Sequence, residues 1–295
     1  MRNLVRVKEL ARALTEVENG AGQDISEYMA SRSQPFVIGI TGPPGSGKST
    51  LIAKLARRLS ERGKVGIIAN DPTSKLSKGS LLGDRIRMDE LWSLDNVFIR
   101  SVPSGGRKGG LNYYTVELIY TFFRYGYRTI FIETTGIGQD EVEVADVSDM
   151  VMNVSVPNLG DEIQSIKAGL NEVTDVFVIN KIDASSYELY EKNLMIAVRK
   201  NRWGWEQRIV PVSAIKEMNL EKLLKAMDDF RPFYRKKLKQ TVLNRFSFML
   251  SSKLELAMSA QLEGLNLQEL FYFYVRNKSL NETIRKLIKG IYEKF

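Results

Sequence analysis

The 295-residue chain contains no cysteine and no histidine. Without cysteine, disulfides, zinc–thiolate sites and thiol catalysis are excluded. Without histidine, the commonest general base and the commonest transition-metal ligand are missing. No apolar run approaches the roughly 18 residues needed to cross a bilayer. Residues 1–9 (MRNLVRVKE) meet an acid early and hold no apolar stretch of the secretory type, so the expected compartment is cytoplasmic. Chemistry is left to carboxylates, Lys, Arg, hydroxyls, backbone amides and a bound hard cation. That inventory suits phosphoryl transfer, where catalysis is mostly positioning and charge stabilisation.

Charge of one sign is also absent from most of the chain. The net charge of +8 resides in residues 231–295, where 13 Lys and Arg face 5 Asp and Glu; the other 230 residues are balanced. A basic tail of this kind can bind nucleic acid or an acidic surface. No basic cluster interleaved with aromatics occurs there, so these charges are read as solvated helix faces and nucleic acid is not an expected partner.

What is present is a βαβ rhythm. Short apolar runs at 36–40, 65–69, 97–102, 129–133, 150–154, 175–180 and 208–212 read as buried parallel strands. Helices are expected at 49–62, 113–125, 163–170 and 187–200, and a helix at 219–230 closes the α/β part. The pattern predicts a largely parallel sheet flanked by helices. Residues 1–33 read as a helical N-terminal extension, with Leu10, Leu14 and Val17 on one face. Residues 34–230 form the α/β domain. Residues 231–295 read as a helical arm, with a long amphipathic stretch at 233–263 and shorter helices at 267–276 and 279–293. Apolar faces on such an arm favour a homodimer.

The chemistry concentrates in two motifs. Gly42-Pro43-Pro44-Gly45-Ser46-Gly47-Lys48-Ser49-Thr50 follows one predicted strand and opens a helix, the context that a phosphate-binding P-loop requires. Its amides and helix N-terminus favour a phosphate, Lys48 reaches the β- and γ-phosphates, and the Ser49 hydroxyl can ligate Mg²⁺. The second motif, Asn180-Lys181-Ile182-Asp183, begins 138 residues past Gly42. Asp183 can accept two hydrogen bonds from guanine that adenine does not offer. Asn180 braces the loop or contacts the base, and the Lys181 stem stacks on the ring. Ser213, Ala214 and Ile215, at the end of the next strand, bring a backbone N–H within reach of guanine O6.

Between these motifs lie candidate switch and metal residues. Strand 129–133 ends in Glu133-Thr-Thr-Gly136, an acid placed to hold Mg²⁺ directly or through water, with a glycine amide for a γ-phosphate. Asp71 and Asp84 lie in the stretch where a first switch loop would order around metal and phosphate. The expected chemistry is hydrolysis of GTP to GDP and phosphate at a Mg²⁺ site, with Lys48, Asp71, Asp84 and Glu133 as catalytic candidates and Ser49, Asp71, Asp84 and Glu133 as metal ligands. A small-molecule kinase using the same loop, and a nucleic-acid- or ribosome-linked GTPase, are the alternatives.

The chain resembles the methylmalonyl-CoA mutase-associated GTPases, the MeaB/ArgK family. The resemblance rests on residues 11–20, 42–50, 71–74, 80–88, 133–139, 160–164 and 180–183, in order across about residues 10–230. It implies a homodimeric GTPase that gates cofactor loading of an adenosylcobalamin-dependent acyl-CoA mutase and protects that enzyme from inactivation. It also implies metal or γ-phosphate roles for Asp71, Asp84 and Glu133, and a third mobile segment at 157–167. The older ArgK label implies a kinase tied to basic amino-acid transport, which the guanine-reading motif argues against. Ile137 stands where many GTPases keep a water-orienting Gln, so slow intrinsic hydrolysis is expected. Delivery of nickel or zinc, the task of some related GTPases, is disfavoured by the missing Cys and His.

Overall fold

A computed structural model of the chain describes residues 2–21, 24–71, 88–103, 111–136, 140–157, 168–198, 200–201 and 204–263, and short pieces between 272 and 289. The chain divides into two compact units, Met1–Phe246 and Ser247–Phe295.

The first unit is built on a seven-stranded, all-parallel sheet in the order β3-β2-β4-β1-β5-β6-β7. β1 (Phe36–Thr41) lies at its centre, between β4 (Thr129–Glu133) and β5 (Met150–Ser155), and every residue of these three strands is buried. That double burial explains why they read as continuous apolar runs and not as alternating ones. β2 (Val65–Asp71) and β3 (Val97–Pro103) complete one side; β6 (Val176–Ile179) and β7 (Arg208–Pro211) complete the other. All seven strands fall where apolar runs place them.

Helices supply the covering layers: α1 (Arg2–Glu18), α2 (Ser26–Ala30), α3 (Lys48–Ser60), α4 (Thr115–Arg124), α5 (Asp140–Val147), α6 (Ala168–Val173), α7 (Glu188–Ala197) and α8 (Leu220–Arg235); α9 (Leu238–Glu263) runs from the first unit into the second. On α3, Leu51, Leu55 and Leu59 recur every four residues together with Ile52 and Ala56, so one face is buried. α1 buries Leu10, Ala13, Leu14 and Val17, and Glu18 at its end takes both Nε and Nη2 of Arg100 from β3.

Two elements differ from the sequence expectation. α5 is not anticipated, because Glu141-Val-Glu-Val144 alternates acid and valine and mimics a strand period. Its buried residues, Glu141, Val144, Ala145 and Val147, instead follow helical spacing. α8 runs past 230 and through Pro232 to Arg235. The missing amide bond is offset by aromatic packing on both sides of the proline: the Phe230 and Phe233 rings lie 5.0 and 5.2 Å from the Trp205 ring. The expected helices at 267–276 and 279–293 fall mostly outside the described residues.

At the amino ends of the strands, register is pinned by acids one strand away. Asp149, just before β5, accepts the Val37 amide of β1 at 2.6 Å, and Asp175, just before β6, accepts the Val151 amide of β5 at 2.7 Å. Arg245 of α9 plugs into the same end. It is completely buried, donates from Nε to the Val147 carbonyl (2.8 Å), and sets Nη2 2.9 Å from Asp149. Burial pushes the Asp149 carboxyl up, against the attraction of the Arg245 guanidinium. Removing one partner of such a pair strands the other charge. Arg245→Ala is expected to cost about 3–5 kcal/mol in urea unfolding. The Arg245→Met/Asp149→Asn double variant should lose less than the single one.

Candidate functional site

The phosphate loop is the reversal between β1 and α3. The Ser46 amide closes back on the Pro43 carbonyl (3.2 Å), and α3 then starts at Lys48 from a Gly47 with φ +91°. A Cβ at Gly47 would run into the Asn180 side-chain amide, and one at Gly136 (φ +78°) into the Gly42 carbonyl. Both positions therefore need glycine on two counts, a left-handed backbone and a close approach. Lys48 is 6% exposed and donates from Nζ to the carbonyls of Gly42 (2.8 Å) and Pro43 (3.2 Å). Its ammonium thus lies against the glycine-rich loop itself.

β4 delivers Glu133 to the same place. The Ser49 hydroxyl, one residue into α3 beyond Lys48, donates to Glu133 Oε1 at 2.6 Å, and both side chains are buried. Asn70, at the end of β2, donates to the Glu133 carbonyl (3.1 Å) and steadies that strand end. Sequence reading passes over Asn70; its only signal is a polar residue closing an apolar strand. The Thr134 amide bonds the Ile40 carbonyl, so the turn that carries Gly136 is tied to β1.

Ser49 and Glu133 present hard oxygens, the donor type that Mg²⁺ takes. No group of three or more acids comes together among the described residues. A magnesium ion here would complete its shell with water and phosphate oxygens, as this ion usually does. Asp71 ends β2, with its side chain outside the described residues. Asp84, Ile137 and residues 158–167 of the expected third segment also lie outside them.

The base-reading motif follows β6 at the same, carboxyl end of the sheet. Asn180 is 2% exposed and its amide caps β6 on the Ser155 carbonyl. Its Nδ2 donates to the Ser46 carbonyl in the phosphate loop (2.8 Å), and its Oδ1 accepts the Ala214 amide (3.0 Å). Lys181, at φ +62°, reaches across to the Gly45 carbonyl with Nζ (2.8 Å). Asp183 is exposed. The Ser213 hydroxyl bonds its carboxylate and holds it below the usual aspartate range. Ser213 and Ala214 are buried, and the Ile215 side chain is 70% exposed. Residues from three distant parts of the sequence, near 46, 180 and 214, are thus fastened to one another.

A phosphate loop, an acid-tipped neighbouring strand and an Asn-Lys-x-Asp loop at one end of a parallel sheet define a P-loop guanine-nucleotide-binding fold. Residues 10–259 match the family described as methylmalonyl Co-A mutase-associated GTPase MeaB. A putative GTPase of Pyrococcus abyssi is 41% identical over 232 residues, 76% of this chain and 72% of the relative. GTPase ArgK of Escherichia coli is 36% identical over 237 residues, 75% of this chain and 71% of the relative. The crystal structure of a LAO/AO transport system kinase superposes with a TM-score of 0.60 at 25% identity, covering 96% of this chain and 97% of the other. The chain belongs to the MeaB family and is a GTPase.

Asp183 is the residue on which base choice should turn. The Ser213 hydrogen bond favours its charged form, which accepts and does not donate. Asp183→Asn replaces two acceptors with one acceptor and one donor, so competition binding should show preference moving from GDP to XDP. Retained guanine selectivity would remove Asp183 from the base site.

Proposed function

We propose that this GTPase is a Mg²⁺-dependent switch in the cytoplasm, serving an adenosylcobalamin-dependent acyl-CoA mutase of the methylmalonyl-CoA type. The observation that supports it most is the direct fastening of the phosphate loop to the base-reading loop through Asn180. The partner is inferred from the family description, which names a mutase-associated GTPase.

In this reading, the loop amides and Lys48 hold the β- and γ-phosphates and draw negative charge toward the bridging oxygen as the bond to the γ-phosphorus breaks. A bound magnesium ion would neutralise charge on the phosphate oxygens. Ser49 and Glu133 would hold it, and their existing 2.6 Å bond would open to admit it. Gly136 offers its amide to the γ-phosphate, which makes the turn between β4 and α5 sensitive to hydrolysis. Asp183 and the 213–215 turn select the base.

The family partner would complete what this site lacks for speed. With Ile137 at the usual place of a water-orienting Gln, the isolated protein should turn over slowly. Adding the purified mutase should raise GTP hydrolysis on the order of tenfold or more, as partner-completed GTPase sites do. Rapid hydrolysis alone, unaffected by the mutase, would contradict this function. Transfer of labelled γ-phosphate to a metabolite would favour a kinase instead.

We also propose a homodimer through α9. Leu243, Phe246, Leu250, Leu254 and Met258 recur at three- and four-residue steps on one face, and each is about half exposed. Leu250→Glu should convert a dimer to a monomer in sedimentation; a wild-type monomer would refute the assignment.

A further inference from the structure

Among the described residues, three that are not glycine have positive φ: Lys181 (+62°), Glu217 (+53°) and Asn219 (+61°). All three lie in the two loops of the base site. Left-handed backbone is costly for side chains of this size and persists only where the surroundings hold it. Lys181 is held through the Gly45 carbonyl and Asn219 through the Pro211 carbonyl, to which its Nδ2 donates at 2.9 Å. Glu217 is held differently, by charge.

The turn from 213 to 218 is closed by paired amide bonds between Ser213 and Met218, and by the Lys216 amide on the Ser213 hydroxyl. Asn180 ties the near side of this turn to the phosphate loop through the Ala214 amide, and Glu217 adds a second tie from the far side. Its carboxylate takes Nη2 of Arg58 at 2.9 Å and lies 3.7 Å from Nζ of Lys54. Both cations sit four residues apart on α3, the helix that opens with Lys48 and Ser49. Lys54 is shared with Glu90 (2.7 Å), and Arg58 with Glu221 at the start of α8 (3.0 Å). Glu217 is held below the usual carboxylate range, chiefly by its hydrogen bond to Arg58.

Resting on the guanine-site reading above, we propose that Glu217 is a positioning residue for base recognition. Arg58 and Lys54 grip its carboxylate, and the phosphate-loop helix thereby sets the 213–215 turn where guanine is received. Arg58 and Glu217 keep 42% and 32% of their side-chain surface, and exposed ion pairs add little to stability. A clamp of this kind contributes little to folding and acts on geometry: it fixes the distance between the base turn and the phosphate loop. The ligand concerned is a nucleotide whose base and phosphates bind together. A ligand of phosphates alone does not feel the clamp.

The experiment compares GDP with inorganic pyrophosphate by calorimetry, alongside thermal melting. Glu217→Gln should weaken GDP about fivefold, the upper end of what an exposed ion pair supplies, and leave pyrophosphate within about twofold. The melting temperature should barely move. In a double-mutant cycle, Arg58→Gln added to Glu217→Gln should cost GDP little more than Glu217→Gln alone. Unchanged GDP binding in Glu217→Gln would overturn the proposal, as would equal losses for both ligands or fully additive losses in the cycle. Glu217→Gly, which relaxes the backbone and removes the clamp, should also lose GDP affinity; wild-type binding there would count against the charge. Asp183→Asn separates the two levels. If it shifts base preference while Glu217→Gln changes nothing, the clamp alone fails. If it keeps guanine selectivity, the base-site reading fails and the clamp falls with it.

Discussion

The side chain of Asn180 is the contact on which the site depends. One carboxamide donates to the carbonyl of Ser46 and accepts the amide of Ala214. It is nearly fully buried, so neither bond is exchanged with water, and losing either would leave a polar group without a partner. Its closeness also accounts for Gly47, where any side chain would displace it. The phosphate loop, the Asn180–Asp183 loop and the turn after β7 are thus joined through one side chain. A single residue whose two ends face two loops also links occupancy of one to the shape of the other.

The opposite end of the sheet is fixed by charge. Asp149 and Asp175 hold the second amides of neighbouring strands, Val37 and Val151, and Arg245 seals the start of β5 to the last turn of α5. The strands are therefore anchored at their amino ends, and the chemistry occupies their carboxyl ends, where open α/β sheets place ligands. α5 lies between the two. It begins just beyond the Gly136 turn and finishes at the Val147 carbonyl that Arg245 grips.

How much of this was legible depends on whether the signal is local. Gly42–Lys48 and Asn180–Asp183 announce themselves because phosphate and guanine recognition each need several residue types at short, rigid spacing. The seven strands were legible because burial on both faces leaves continuous apolar runs. Arg245 was not. It belongs to a tail read as solvated charge, and its partner Asp149 lies 96 positions away with no pattern connecting them. α5 hid behind alternating Glu and Val, and α8 behind Pro232, where tertiary packing overrides local preference. Glu217 was equally silent: neither a left-handed backbone nor a distant arginine leaves a trace in one sequence. Asn70 shows the intermediate case, a polar strand end whose use appears only once β4 is beside it.

These features describe a GTPase in which the phosphate loop, the Asn180–Asp183 loop and the turn after β7 are tied together by one side chain. Through Asn180, phosphate and base recognition should be one event. Calorimetric titration of a folded Asn180→Ala variant with GDP tests this. Affinity should fall by on the order of tenfold or more, the scale of losing buried hydrogen bonds at a binding site. GDP binding at wild-type strength in that variant would contradict it.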